Sequence, residues 1–119
     1  MSLKGPNASL HEAVPSDYGV LLTTVPSRDE AATIANLLID ERLAACVQLL
    51  PIESFYRWDG KTRNEAELLL LIKTRTALFD ETIARIKAVH SYSVPQIVGT
   101  GFVAGFSGYL DWIDDVTRR

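Results

Sequence analysis

The chain has 119 residues and a mass of 13.2 kDa, room for one domain. At 47% hydrophobic and 23% charged it can bury a core without staples and is too apolar for a disordered segment. A net charge of -3 argues against a duplex nucleic-acid binder, and the longest apolar run, Leu68 to Ile72, is far too short to span a bilayer. The single cysteine, Cys46, excludes an internal disulfide framework and fits a reducing compartment, so a soluble cytoplasmic protein is expected.

Residues 1–17 hold one lysine and no continuous apolar stretch. They are expected to be a flexible leader to a single domain over residues 18–119. Tyr18 to Val25 is a run of strand formers, ended by Pro26. Ser27 followed by Glu30 has the capping-box spacing. Ala31, Ile34, Ala35, Leu38 and Ile39 then recur at helical spacing, predicting a helix that ends near Arg42-Leu43. Ala45 to Trp58 reads as a long strand in which Pro51 implies a bulge or an edge position. Asp59-Gly60 is a two-residue hairpin turn, and Arg63 to Thr74 returns as the next strand. A helix is predicted over Ala77 to His90, with Phe79, Ile83, Ile86 and His90 on one face. A connector leads through Pro95 to a last strand over Ile97 to Phe106, and Ser107 can cap a terminal helix through Thr117.

The order β-α-β-β-α-β plus a terminal helix predicts an α+β, ferredoxin-like sandwich: one antiparallel sheet, two helices on one face, and the first and third strands central. If Asp59-Gly60 sets the register, Trp58 faces Lys61. Val47, Leu49, Leu68, Leu70 and Ile72 then share the helix-covered face. Cys46, Gln48, Leu50, Leu69, Leu71 and Lys73 share the other, whose apolar centre also needs a cover. Fourteen strand residues (Ala45 to Trp58) span about 45 Å, more than the roughly 35 Å across a compact domain of this length. The hairpin should therefore protrude, and Phe55, Tyr56 and Trp58 on a naked ribbon would invite edge pairing. Both problems are solved by burial against copies of the same chain, so a closed homo-oligomer is expected.

Several motifs now stand in order along the chain. They are Glu41-Arg42-Leu43-Ala44-Ala45-Cys46-Val47; Tyr56-Arg57-Trp58 before a turn Gly and Lys; Lys73-Thr74; His90-x-Tyr92-x-Val94-Pro95-x-Ile97; and Tyr109-Leu110-Asp111-Trp112. From about Tyr18 to Thr117 the sequence strongly resembles the CutA family, associated with divalent-cation tolerance. The resemblance implies a tight homotrimer of ferredoxin-like subunits with hairpins pairing between them. It also implies binding of copper or another divalent metal, and no established catalysis. The connector departs from the usual family pattern: Ser93 and Gln96 stand where carboxylates are usual, and Gln48 where Asn is usual. A site near His90 thereby loses anionic oxygens that would hold a divalent ion.

The candidate metal ligands are His90 and Cys46. His90 offers a neutral imidazole, yet it also continues the apolar stripe of its helix and suits a helix C-terminus. Cys46 as a soft ligand would favour copper, although a lone buried cysteine also serves as a small hydrophobe. With His11 in the leader the only other histidine, no structural zinc site of familiar spacing is possible. A tight site would need ligands from several subunits or from carboxylates such as Glu65 and Glu67, a pair that is more often a solvated hairpin edge. Lys73 and Tyr92, with Tyr56 and Trp58, could line an inter-subunit cleft for a small anion or organic ligand, as in a trimeric sensor or scaffold resembling PII-type signalling proteins. Tyr56 and Trp58 read alternatively as interface anchors. No nucleophile elbow, phosphate loop or acid–base pair is present, so no enzyme is expected. Gly101 to Phe106 faintly echoes an RNA-stacking motif, but on the wrong strand and without a basic partner.

Overall fold

The structure is a computed structural model and describes residues 13–119; His11 and most of the expected leader lie outside the described residues. Four strands and three helices follow one another: β1 (Tyr18–Val25), α1 (Arg28–Asp40), β2 (Cys46–Trp58), β3 (Lys61–Arg75), α2 (Phe79–Val89), β4 (Ile97–Gly101) and α3 (Ser107–Val116). The sheet runs β2-β3-β1-β4 with every neighbouring pair antiparallel, so β1 and β3 are central as expected.

The hairpin register follows from its turn. Asp59 and Gly60 both take positive φ, 53° and 74°, the geometry that matches the twist of two paired strands. Trp58 then faces Lys61, and the pairing continues without a break to Cys46 opposite Lys73. Pro51 causes no bulge. β2 is an edge strand in the single chain, where a residue lacking an N–H is tolerated.

Alternation places Leu21, Thr23 and Val25 of β1 and Leu70 and Ile72 of β3 under Ala31, Ile34 and Leu38 of α1 and Ile86 of α2. On the opposite face, α3 covers one end: Leu110 and Ile113 pack on Tyr18 and Ala45. Arg75 fastens it there, donating to the Thr117 hydroxyl at 2.9 Å and the Thr117 carbonyl at 3.0 Å. The middle of that face stays open in the single chain. Leu50 and Val98, 50% and 52% exposed, flank the half-buried Leu22, Leu69 and Leu71. The hairpin protrudes as strand length predicts. The longest dimension is 59 Å and the radius of gyration 16.3 Å, against about 13 Å for a compact domain of this length.

Several boundaries differ from expectation. α1 stops at Asp40 because Arg42 turns left-handed at φ 57°, with Leu43 N–H bonded to Leu38 O and Arg42 N–H to Ile39 O, a two-bond helix stop. The second helix begins with a 3-10 turn over Thr76–Leu78 and ends at Val89, because His90 swings to an extended conformation. β4 is half its expected length. Its partner β1 runs out at Tyr18, whose carbonyl accepts the Phe102 N–H at 2.8 Å, and Phe102 then turns toward the α3 cluster. Val103 and Phe106 are left 99% and 80% exposed. Ser107 is the first residue of α3 and makes no cap; Phe106 holds the cap position.

Candidate functional site

The connector between α2 and β4 is held at three points. Ser27 caps α1 by accepting the Glu30 N–H at 3.2 Å, but the Glu30 side chain is engaged elsewhere: it receives the Ser91 N–H at 2.9 Å and the Ser91 hydroxyl at 2.7 Å. The His90 ring, fully buried, bonds through Nε2 to the Thr24 carbonyl at 2.9 Å. Its Nδ1 accepts the Tyr92 N–H at 3.0 Å and lies 3.6 Å from Glu30. That pattern fixes the neutral tautomer, with the proton on Nε2. The Tyr92 ring packs at 5.0 Å from the His90 ring, and its phenol donates to Glu67 Oε2 at 2.7 Å.

These fastenings wall a groove of about 640 Å³ between connector and hairpin. Phe55, Tyr56, Trp58 and Tyr92 give it aromatic sides, with Glu67, Thr24 and Ser54 contributing polar groups. Glu67 is nearly buried, 9% exposed. Beside it the Tyr56 phenol donates to Glu65. Burial, then the bond to Glu67, pushes the Tyr92 phenol well above the ordinary tyrosine value. The bond to Glu65 raises Tyr56 as well. Both rings are thus held neutral.

Of the residues singled out in the sequence, Tyr92, Tyr56 and Trp58 meet in this groove; Lys73 is not among its lining residues. Lys73 sits opposite Cys46, bonds to Gln48, and belongs to the open face near α3, where Cys46 meets Tyr109. His90 is bonded to Thr24, whose cross-strand partner is Leu69, four positions along β3 from Lys73, or about 13 Å. One chain therefore does not bring His90 and Cys46 together. Among the described residues no three His, Cys, Asp or Glu side chains gather as a metal site. With both His90 nitrogens engaged and Cys46 facing a lysine, the described residues of a single chain do not fit a multidentate ion. Glu30 was missed as a site residue because its place three after Ser27 reads as a helix cap, and no local pattern links it to Ser91.

The family model described as CutA1 divalent ion tolerance protein matches residues 19–116, nearly the whole described chain. The chain belongs to the CutA family. It is 48% identical over 99 residues to the divalent-cation tolerance protein CutA of Thermus thermophilus, covering 82% of this chain and 96% of that one. It is 40% identical to the chloroplastic CutA of Arabidopsis thaliana, where the match covers 84% of this chain but 56% of the relative. Among solved CutA structures, the periplasmic divalent cation tolerance protein of Archaeoglobus fulgidus superposes with a TM-score of 0.83 at 39% identity, covering 85% of this chain and 99% of that one. The Xylella fastidiosa CutA gives 0.84 at 38%, covering 87% and 100%. The Thermus and Archaeoglobus tolerance proteins are matched over almost their full length. Among the described residues of this chain, no helix is long and apolar enough to cross a membrane.

Proposed function

We propose that this CutA-family chain acts as a closed homotrimer in divalent-cation tolerance, binding copper or another divalent cation with ligands drawn from more than one subunit. The observation that carries the proposal is the uncovered apolar centre of the sheet, Leu22, Leu50, Leu69, Leu71 and Val98, continuous with a protruding hairpin. A surface of that kind is covered by association. The strand order and pairing support ferredoxin-like subunits, and Tyr56 and Trp58 are the anchors where copies meet. Residues 18–119 form the domain that assembles. Cys46 is the thiol donor of this reading; His90 gives a nitrogen only if the Tyr92 N–H releases Nδ1. The lone cysteine fits a cytoplasmic setting, while its relatives include proteins named chloroplastic and periplasmic.

Light scattering tests the assembly: a mass near three times 13.2 kDa is expected, and Leu50→Glu should lower it. A folded single chain in dilute solution would overturn the proposal. Copper titration by calorimetry should show saturable binding that is lost in His90→Ala or Cys46→Ser; unchanged affinity in both removes these residues as ligands.

One observation favours a second reading, a small-ligand cleft in the manner of PII-type sensors. The groove beside Tyr92 combines four aromatic side chains with a small set of polar groups, the lining of a small-ligand site.

A further inference from the structure

The groove has an electrostatic character that its shape alone does not announce. Glu67 stands at its wall, nine-tenths buried, with the Tyr92 phenol on one oxygen. Glu65 lies close by under the Tyr56 phenol. Among the described residues neither carboxylate is in a salt bridge. No lysine or arginine lines the groove; Arg63, across the hairpin from Tyr56, is the basic group whose field reaches that ring. A nearly buried carboxylate without a counter-ion is costly, and a cation in the groove would remove that cost.

The rest of the lining says which kind of cation. Its hydroxyl and amide side chains offer neutral oxygens only, and Phe55, Tyr56, Trp58 and Tyr92 present rings, whose faces attract positive charge. A hard divalent ion is held by several oxygens with charged ones among them. Here the lining offers a single carboxylate, one oxygen of it already bonded, beside neutral hydroxyls and an amide. A diffuse, weakly hydrated charge on carbon-rich groups matches both the rings and the single anion. The volume of about 640 Å³ suits a small organic molecule.

We propose that this groove binds a small organic cation, a quaternary or alkylated ammonium, with its charge beside Glu67 and its carbon groups against Tyr56, Trp58 and Tyr92. The inference rests on the small-ligand cleft reading, in which Tyr56 and Trp58 wall the cleft rather than fill the contact between copies, and names the ligand class for it.

Choline and its neutral isostere 3,3-dimethylbutan-1-ol are the probes. They are titrated into the full-length assembled protein and followed by calorimetry, and by Trp58 fluorescence in a Trp112→Phe background. Choline should bind about tenfold or more tighter than the alcohol. Glu67→Gln should remove most of that preference while leaving the alcohol's affinity unchanged, with circular dichroism confirming the fold. Should that variant not fold, the comparison of the two probes on the wild-type protein still decides. Equal affinities for choline and the alcohol would overturn the cation assignment while leaving the cleft standing. No saturable binding of either probe would overturn both, independently of the scattering mass and the copper titration.

Discussion

The Tyr92 phenol and the Glu67 carboxylate, 25 residues apart in sequence and 2.7 Å apart in space, join the α2–β4 connector to the base of the hairpin. Burial and this bond raise the Tyr92 pKa. The sign of the resulting pH dependence follows. Unfolded tyrosine ionises near pH 10, whereas the folded chain keeps the proton, so above about pH 10 the unfolded state binds fewer protons and stability falls as pH rises. Tyr18 and Tyr109, raised chiefly by burial, act in the same direction. Tyr92→Phe should therefore lose roughly 1–2 kcal/mol at neutral pH, from the bond to a charged acceptor. It should also flatten the decline between pH 9 and 11. Urea titrations across that range check both effects; a wild-type slope retained in the variant would remove Tyr92 as its source.

His90 is a structural tie in the single chain. Its two nitrogens satisfy the Thr24 carbonyl and the Tyr92 N–H, and its ring is fully buried. His90→Ala opens a cavity and strands both backbone groups, which together cost about 2–4 kcal/mol. The connector should loosen with it, and faster hydrogen exchange at the Tyr92 amide is the local signature. A loss of stability below about 1 kcal/mol would mean that water replaces the ring at little cost.

The elements that the sequence announces are those set by local chemistry. Asp59-Gly60 fixed the register of thirteen cross-strand pairs because two positive-φ residues admit few alternatives. The Ile34, Leu38 stripe identified α1 for the same kind of reason. Failures lie where a partner decides. Val103 and Phe106 look like strand residues, yet β4 stops because β1 has ended, and no property of those two side chains records that. In the site, Tyr56, Trp58 and Tyr92 are conspicuous as aromatics, and the structure does gather them. Glu30 and Ser91, 61 residues apart, are joined by tertiary packing alone. Lys73 shares the open face but sits nearer α3 than the groove, a separation along β3 that composition cannot show.

Gly19 is required by close approach rather than by an unusual backbone. A Cβ there would stand 2.3 Å from the Thr100 carbonyl oxygen and 2.9 Å from the Phe79 ring. The first contact is with backbone of the paired strand, so β4 must move away from β1 to relieve it. Gly19→Ala should destabilise the chain by about 1–3 kcal/mol. The displaced β4 should show faster hydrogen exchange at Thr100 and Gly101, and full protection there would count against the clash.

Two hydroxyls in the helix-covered half of the protein point the opposite way, toward gain. Thr23 and Thr74 are fully buried, and neither Oγ1 has a hydrogen-bond partner. Thr23 faces Leu70 across the β1–β3 ladder, in the layer that α1 and α2 cover, so its surroundings are aliphatic. An unpaired buried hydroxyl is destabilising by about 1–3 kcal/mol relative to a bonded one. Exchanging it for a methyl of nearly the same shape removes the unmet polar group without opening a cavity. Thr23→Val should therefore raise stability by about 1 kcal/mol, a reversal of the usual direction for core substitutions. Thr74, four residues from Leu70 along β3, is far enough from Thr23 for the two changes to add. The double variant should accordingly show about twice the single gain in the urea midpoint, with no change in the slope. A loss of stability in Thr23→Val would mean that this hydroxyl does have a bonding partner, such as an internal water.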